Sequence, residues 1–314
     1  MKELRIIFMG TPDFAVASLN ALVEANYNIV AVITAADKPS GRGRKINQSA
    51  VKKYALSKGI EILQPTNLKN PDFLDKLKSL EADLQVVVAF RMLPNQVWSM
   101  PNMGTFNLHA SLLPDYRGAA PINWAIINGE EKTGVTTFFI NEDIDTGAII
   151  KQESIEISKH MTAGELHDEL MTLGSKTVVE TVHMIDKGLV TPMKQSEGHY
   201  QPAPKLNKDN CRILWTEPLE KIYNKIRGLN PYPGAWTILN NNGEEIEMKI
   251  YNGTMVFEKH DFSPGSLHIS KKQLRVATEN GFFDIQNLKM AGKKRMDAIS
   301  LLNGYTFHEG CKLF

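Results

Sequence analysis

Cysteine is scarce in this chain. Only Cys211 and Cys311 occur among 314 residues. They form no Cys-x-x-Cys pair, so neither a disulfide scaffold nor a cysteine-based zinc site is indicated. Long apolar runs are missing too. The stretch at 84–90, Leu-Gln-Val-Val-Val-Ala-Phe, is far short of the ~20 residues that cross a bilayer, and no membrane association is expected. Met1 leads into a strand-like run without a signal-peptide pattern, which makes a cytoplasmic chain the expectation. No His-Glu-x-x-His or similar ligand spacing appears, so no metal is expected. Gly-x-Gly-x-x-Gly is absent as well. The first strand runs into Met9-Gly10-Thr11-Pro12-Asp13-Phe14, where Pro12 and Asp13 oppose a bound pyrophosphate, and no Walker-type loop exists. A dinucleotide-dependent oxidoreductase is therefore disfavoured.

What remains is an ordinary globular composition, 42% apolar and 23% charged, at a length that favours two domains. The formal net charge is only +1, yet the charge is uneven. Residues 1–200 hold 20 Lys/Arg against 23 Asp/Glu, and residues 201–314 hold 16 against 12. Between Asp37 and Glu61 there is no acid, while Lys38, Arg42, Arg44, Lys45, Lys52, Lys53 and Lys58 all fall there. Such asymmetry points to an anionic partner, although a solvated loop and helix face would give the same pattern. Lys289, Lys293, Lys294 and Arg295 form a second basic patch.

Strand-like runs at 4–9, 29–33, 84–90, 104–109 and 134–140 alternate with helical patterns at 49–58, 71–80, 119–128 and 162–187. This alternation predicts an α/β unit over residues 1–188 with a doubly wound, mostly parallel sheet. Residues 189–207, with Pro192, Pro202, Pro204 and Gly198, read as a linker. From 208 to 314, short alternating runs and Asn-Gly pairs at 242–243, 252–253 and 280–281 predict a smaller antiparallel β-barrel with three tight turns.

In open α/β sheets, ligands settle outside the carboxyl ends of the strands. The predicted strand at 104–109 ends with Asn107 and His109, whose i, i+2 spacing puts both side chains on one face. A second predicted strand end is followed by Asp143-Ile144-Asp145-Thr146-Gly147, from which an acid could reach back to the histidine. An amide donor, an imidazole and a carboxylate suffice for direct acyl transfer to an amine without an enzyme nucleophile. The amide meets the developing oxyanion, the imidazole moves the proton, and the carboxylate stabilises the resulting cation.

These residues lie in Asn107-Leu108-His109-Ala110-Ser111-Leu112-Leu113-Pro114-Asp115-Tyr116-Arg117-Gly118-Ala119-Ala120-Pro121, followed by Thr133-Gly134-Val135-Thr136 and Asp145-Thr146-Gly147. That signature resembles the formyltransferases that use 10-formyltetrahydrofolate. The likeness extends through Asp37-Lys38-Pro39-Ser40-Gly41-Arg42-Gly43-Arg44-Lys45 and Arg227-Gly228-Leu229-Asn230-Pro231-Tyr232-Pro233 to Ala291-Gly292-Lys293-Lys294. The resemblance implies a Rossmann-like formyltransferase core with Asn107, His109 and Asp145 as the catalytic set. It implies 10-formyltetrahydrofolate as formyl donor, no metal, and the methionyl α-amino group of initiator tRNA as acceptor. Ser111, Leu112, Leu113 and Pro114 would line the folate site, with Phe90, Arg91 and Met92 on its pterin side. Lys38, Arg42, Arg44 and Lys45 would meet the acceptor end of the tRNA, while the C-terminal domain, including Lys293 and Lys294, would hold its body. A monomer is expected.

The chain departs from the family pattern twice. Phe90-Arg91-Met92-Leu93-Pro94 stands where the family usually has Tyr-Gly and a short apolar stretch, so Arg91 either holds the loop or reaches the site. Leu214 replaces a frequent Asp.

Overall fold

The computed structural model describes residues 3–40 and 45–314. The chain forms two compact units. The first comprises Met1–Gly118, Lys132–Ile155 and His167–Pro202; the second comprises Ala119–Glu131, Glu156–Leu166 and Ala203–Phe314.

Elements are numbered in chain order. In the first unit, β1 (Arg5–Gly10) is buried from its second residue onward and β6 (Leu84–Val88) throughout. Continuous burial of this kind suits strands covered by helices on both faces. β1, β2 (Asn28–Ile33), β5 (Ile62–Leu63), β6 and β7 (Thr105–His109) are parallel. β9 (Lys132–Phe139) is antiparallel to β7, and β10 (Ile149–Glu156) follows at the edge, giving the order β10-β9-β7-β6-β1-β2-β5. β3 (Lys38–Ser40) pairs antiparallel with β4 (Lys45–Asn47), and β8 (Arg117–Gly118) is a two-residue strand.

The covering helices are α1 (Asp13–Glu24), α2 (Ala50–Lys58), α3 (Pro71–Ser79), the single-turn α4 (Asn95–Trp98) and the long α6 (Ala163–Asp186). On α6, Leu170, Val178, Val182 and Ile185 recur at helical spacing on its buried side. α2 starts at Ser49, whose hydroxyl accepts from the Lys52 amide at 3.0 Å, and stops at Gly59 in the left-handed region. Phe8 in β1 is fully buried, so truncation to alanine there would cost about 3–5 kcal/mol.

The chain builds outward from β1 through β2 and β5, then returns to β6 and β7 on the other side. The switch point lies between β1 and β6, beside the carboxyl ends where the site was expected.

The second unit contains α5 (Pro121–Ile127), α7 (Leu219–Gly228), α8 (Ala298–Gly304) and, after the two-residue β11 (Pro202–Ala203), an antiparallel sheet. Its strands are β12 (Ala235–Asn241), β13 (Glu244–Val256), β14 (Leu267–Ile269), β15 (Leu274–Ala277), β16 (Phe282–Met290), β17 (Met296–Asp297) and β18 (Lys312–Leu313). They follow the order β14-β15-β16-β13-β12-β18, with β17 on β16, and a Ser266–Lys312 bridge brings the two edges together into a nearly closed barrel. Leu239, Met248, Ile250, Val276, Phe283 and Leu288 fill it.

One of the three expected turns is something else. Asn242-Gly243 is a hairpin turn, with φ of 56° and 87°. Gly281 turns the chain from β15 to β16, accepting from the Thr278 amide at 2.8 Å. Asn252-Gly253, however, lies inside β13, where the register against β16 slips. A Cβ on Gly253 would stand 2.3 Å from the Phe283 ring, so this glycine serves a bulge and a close approach rather than a reversal.

Candidate active site

β7 ends in the site. Its register pairs Asn107 with Val87 on β6 and Phe138 on β9, and His109 with Thr136 on β9. Asn107 is half-buried, while His109 is buried at 6% exposure. The imidazole is held on two sides. Its Nε2 lies 2.8 Å from the Tyr116 carbonyl oxygen, which can only accept, so Nε2 carries a proton. That leaves Nδ1 as the nitrogen able to take another, and Nδ1 faces the Asp145 carboxylate Oδ2 at 3.7 Å.

Asp145 sits in the 141–147 loop between β9 and β10 with a left-handed φ of 55°, a region that non-glycine residues occupy only when their surroundings hold them there. The Gly118 amide donates to its Oδ2 at 2.9 Å. Two residues later a Cβ on Gly147 would fall 1.6 Å from the Phe139 carbonyl oxygen, so no other residue fits that close approach. The structure thus brings His109 and Asp145 together, and places Asn107 on the same face of the same strand.

The loop after His109 is shaped from beneath by Thr136. Its hydroxyl donates to the Ser111 carbonyl at 2.6 Å and accepts from the Leu113 amide at 3.1 Å and from Gln152 Nε2 at 2.9 Å. The Ser111 hydroxyl is turned inward, donating to the Asp115 carbonyl at 2.6 Å, and Leu113 packs with Phe138 and Ile149. Of the four residues expected to line a ligand, Leu112 and Pro114 keep accessible surface, whereas Ser111 and Leu113 build the loop.

On the β6 side, Ala89 turns the chain with φ 47°. The Arg91 guanidinium donates to the Pro65 and Thr66 carbonyls at 2.5 and 3.1 Å and leans toward the Phe90 ring. Of the two alternatives for Arg91, the structure supports the first: its donors tie this loop to the turn after β5. Met92 is 68% exposed.

Lys38 is exposed at the start of β3 and Lys45 opens β4; Arg42 and Arg44 lie outside the described residues. Lys52, part of the same acid-free run, donates to Asp37 Oδ2 at 2.6 Å and to Gln64 Oε1 at 2.8 Å. Gln64 in turn donates to Asp37 Oδ1 at 2.8 Å. These bonds, first that of Gln64 and then that of Lys52, hold the Asp37 carboxyl below its ordinary range. Lys293 and Lys294 are exposed between β16 and β17. Among the described residues, no group of three or more His, Cys, Asp or Glu is placed to hold a metal, and no helix is long and apolar enough to cross a membrane.

Two contributors escaped the sequence reading. Gln152 supports the 111–114 loop, donating also to the Leu113 carbonyl at 2.8 Å, and Gln195 reaches the Asp145 loop from the segment read as a linker. Isolated glutamines carry no pattern that would have marked them.

Residues 4–182 match the model described as "Formyl transferase", and residues 205–306 the model described as "Formyl transferase, C-terminal domain". The chain belongs to the formyl transferase family. Methionyl-tRNA formyltransferase of Flavobacterium johnsoniae is 55% identical to it, with all of both chains covered. That of Bacteroides thetaiotaomicron is 49% identical over 99% of each. Among solved structures, an N-formyltransferase from Helicobacter canadensis, in complex with folinic acid and dTDP-3-aminofucose, superposes with a TM-score of 0.69. It covers 93% of this chain and all of its own at 21% identity, a likeness of fold. HypX from Aquifex aeolicus, in complex with tetrahydrofolic acid, gives a TM-score of 0.64 at 17% identity, over 96% of this chain and 47% of its own.

Proposed function

We propose that this chain transfers the formyl group of 10-formyltetrahydrofolate to the α-amino group of methionine on initiator tRNA, for translation initiation. What carries the reading is the imidazole–carboxylate pair at the end of β7, in a chain that matches methionyl-tRNA formyltransferases over its full length.

The attacking amine must be neutral, and an α-amino group with pKa ~7.7–8.0 loses its proton readily near neutral pH. Its nitrogen adds to the formyl carbon. The Asn107 amide donates to the oxygen as negative charge develops, a contribution of about 3–4 kcal/mol for such donors. His109 takes the proton from the attacking nitrogen at Nδ1, and the Asp145 carboxylate stabilises the cation. The bond between the formyl carbon and N10 of the folate then breaks, N10 gains a proton, and tetrahydrofolate leaves.

The 111–114 loop forms one wall of the folate site, with Leu112 and Pro114 facing the ligand, and the segment of Phe90, Arg91 and Met92 borders its pterin side, with Arg91 holding that segment in place. Lys38, Arg42, Arg44 and Lys45 pair with phosphates near the tRNA acceptor end, and Lys293 and Lys294 with the tRNA body. In this reading residues 1–188 are the catalytic domain, 189–207 the linker and 208–314 the tRNA-binding domain. The chain works as a monomer in the cytoplasm.

Incubating the purified protein with a formyl-folate donor and methionyl initiator tRNA tests the reading. Formyl-methionyl-tRNA is the expected product. Preferential formylation of a nucleotide-linked amino sugar would overturn it.

A further inference from the structure

Gln195 lies in the segment between α6 and β11, yet it is buried at 6% exposure. Two residues earlier, Met193 exchanges backbone hydrogen bonds with Ile149, the first residue of β10, at 2.8 and 2.9 Å. In that antiparallel register Gln195 falls beside the Asp145–Gly147 loop. Its amide is then used completely. Nε2 donates to the Asp145 carbonyl at 2.9 Å and to the Gly147 carbonyl at 2.9 Å. Oε1 accepts from Arg117 Nε at 3.1 Å and from its Nη2 at 2.5 Å. The orientation of the amide is unambiguous, because the carbonyls only accept and the guanidinium only donates.

Arg117 precedes Gly118, whose amide holds the Asp145 carboxylate. The bonds therefore close a ring: Asp145 carboxylate, Gly118 amide, Arg117 guanidinium, Gln195 amide, Asp145 carbonyl. Every link is made, and the ring fixes both ends of a residue whose φ is left-handed. A carboxylate facing His109 at 3.7 Å is useful only while it stays there.

We infer that Gln195 is a positioning residue for formyl transfer, holding Asp145 against His109 while touching no substrate. This rests on the formyl-transfer reading given above. An amide is required at this place. A glutamate would keep the Arg117 contact but set its oxygens against two carbonyls. A methionine would match the length and lose all four bonds, and an asparagine is one methylene short of both partners.

The test compares Gln195→Glu and Gln195→Met with wild type in steady-state formylation of methionyl initiator tRNA, and repeats Gln195→Met in an Asp145→Asn background. Either single variant should lower kcat about 10- to 100-fold. KM for both substrates should stay within about twofold. In the Asp145→Asn background the further loss should shrink to about twofold or less, since the carboxylate being positioned is already gone. Should Gln195→Met fail to fold, Gln195→Glu, which retains the Arg117 contact, supplies the comparison, with Gln195→Glu made in the Asp145→Asn background. Unchanged kcat, a rise in KM with kcat intact, or an equal loss in both backgrounds would overturn the inference while leaving the reaction standing. A wild-type protein that forms no formyl-methionyl-tRNA would remove the reaction and the inference with it.

Discussion

His109 shows unlike neighbours to its two ring nitrogens, a backbone carbonyl at Nε2 and a carboxylate at Nδ1. Proton transfer through such a histidine is worth about 100- to 10,000-fold, so His109→Ala should cut kcat by that factor with the circular dichroism spectrum unchanged. Asn107→Ala should cost about 100- to 1,000-fold, the usual loss when an oxyanion donor is removed. Parallel kcat measurements on the two variants check both. At this scale the sequence was legible where geometry is local. Strand alternation alone puts Asn107 and His109 on one face, and a strand-end acid is a natural partner. The ring through Arg117 and Gln195 was not legible, because it joins residues 78 positions apart and neither lies in a periodic pattern. Arg91 was readable only as a pair of alternatives, since no local rule says which carbonyls a long side chain will find.

Among the elements, the stretch around β3 and β4 shows how a charge run divides its labour. The acid-free stretch reads as one basic segment, yet Lys52 is bound to Asp37 and Gln64, while Lys38 remains exposed. Three groups bonded in a triangle hold the residue just before β3 against α2 and the end of β5. The Asp37 carboxyl is held below its ordinary ~3.9, so the folded state binds its proton less tightly than the unfolded chain. Its contribution to stability is complete above that ordinary value and is lost as pH falls through the lower folded one. Carboxyl-carbon NMR should place the Asp37 midpoint below ~3.9, and Gln64→Ala should move it upward. An unmoved midpoint would contradict the assignment of Gln64 as the larger cause. The Asn252-Gly253 bulge carries the complementary lesson. An Asn-Gly pair signals a turn only when nothing large packs against the glycine, and Phe283 does.

For the whole molecule, β1 and β6 are buried almost throughout and β12 at alternate residues, as a helix-covered sheet and a nearly closed barrel require. The switch point between β1 and β6 follows from strand order, whereas the candidate residues come from the end of β7 and the loop after β9. What patterning could not give is the interleaving of the compact units, in which 119–131 and 156–166 group with the C-terminal part, because that grouping joins segments distant in sequence. A net charge of +1 with exposed local lysines suits a partner that is bound and then released. Binding of methionyl initiator tRNA should weaken linearly in log–log salt titration, and replacing Lys293 and Lys294 with glutamine should lower the slope by about 1 for each lysine. A slope identical to wild type would place the tRNA elsewhere. The imidazole–carboxylate pair is tested most directly by single-turnover formylation of methionyl initiator tRNA with Asp145→Asn, a change that keeps an oxygen for the Gly118 amide and removes only the charge. The expected result is a chemical step slower by about 100-fold or more at saturating tRNA and donor, with tRNA affinity unchanged. A chemical step as fast as that of wild type would show that the carboxylate facing His109 takes no part in moving the formyl group.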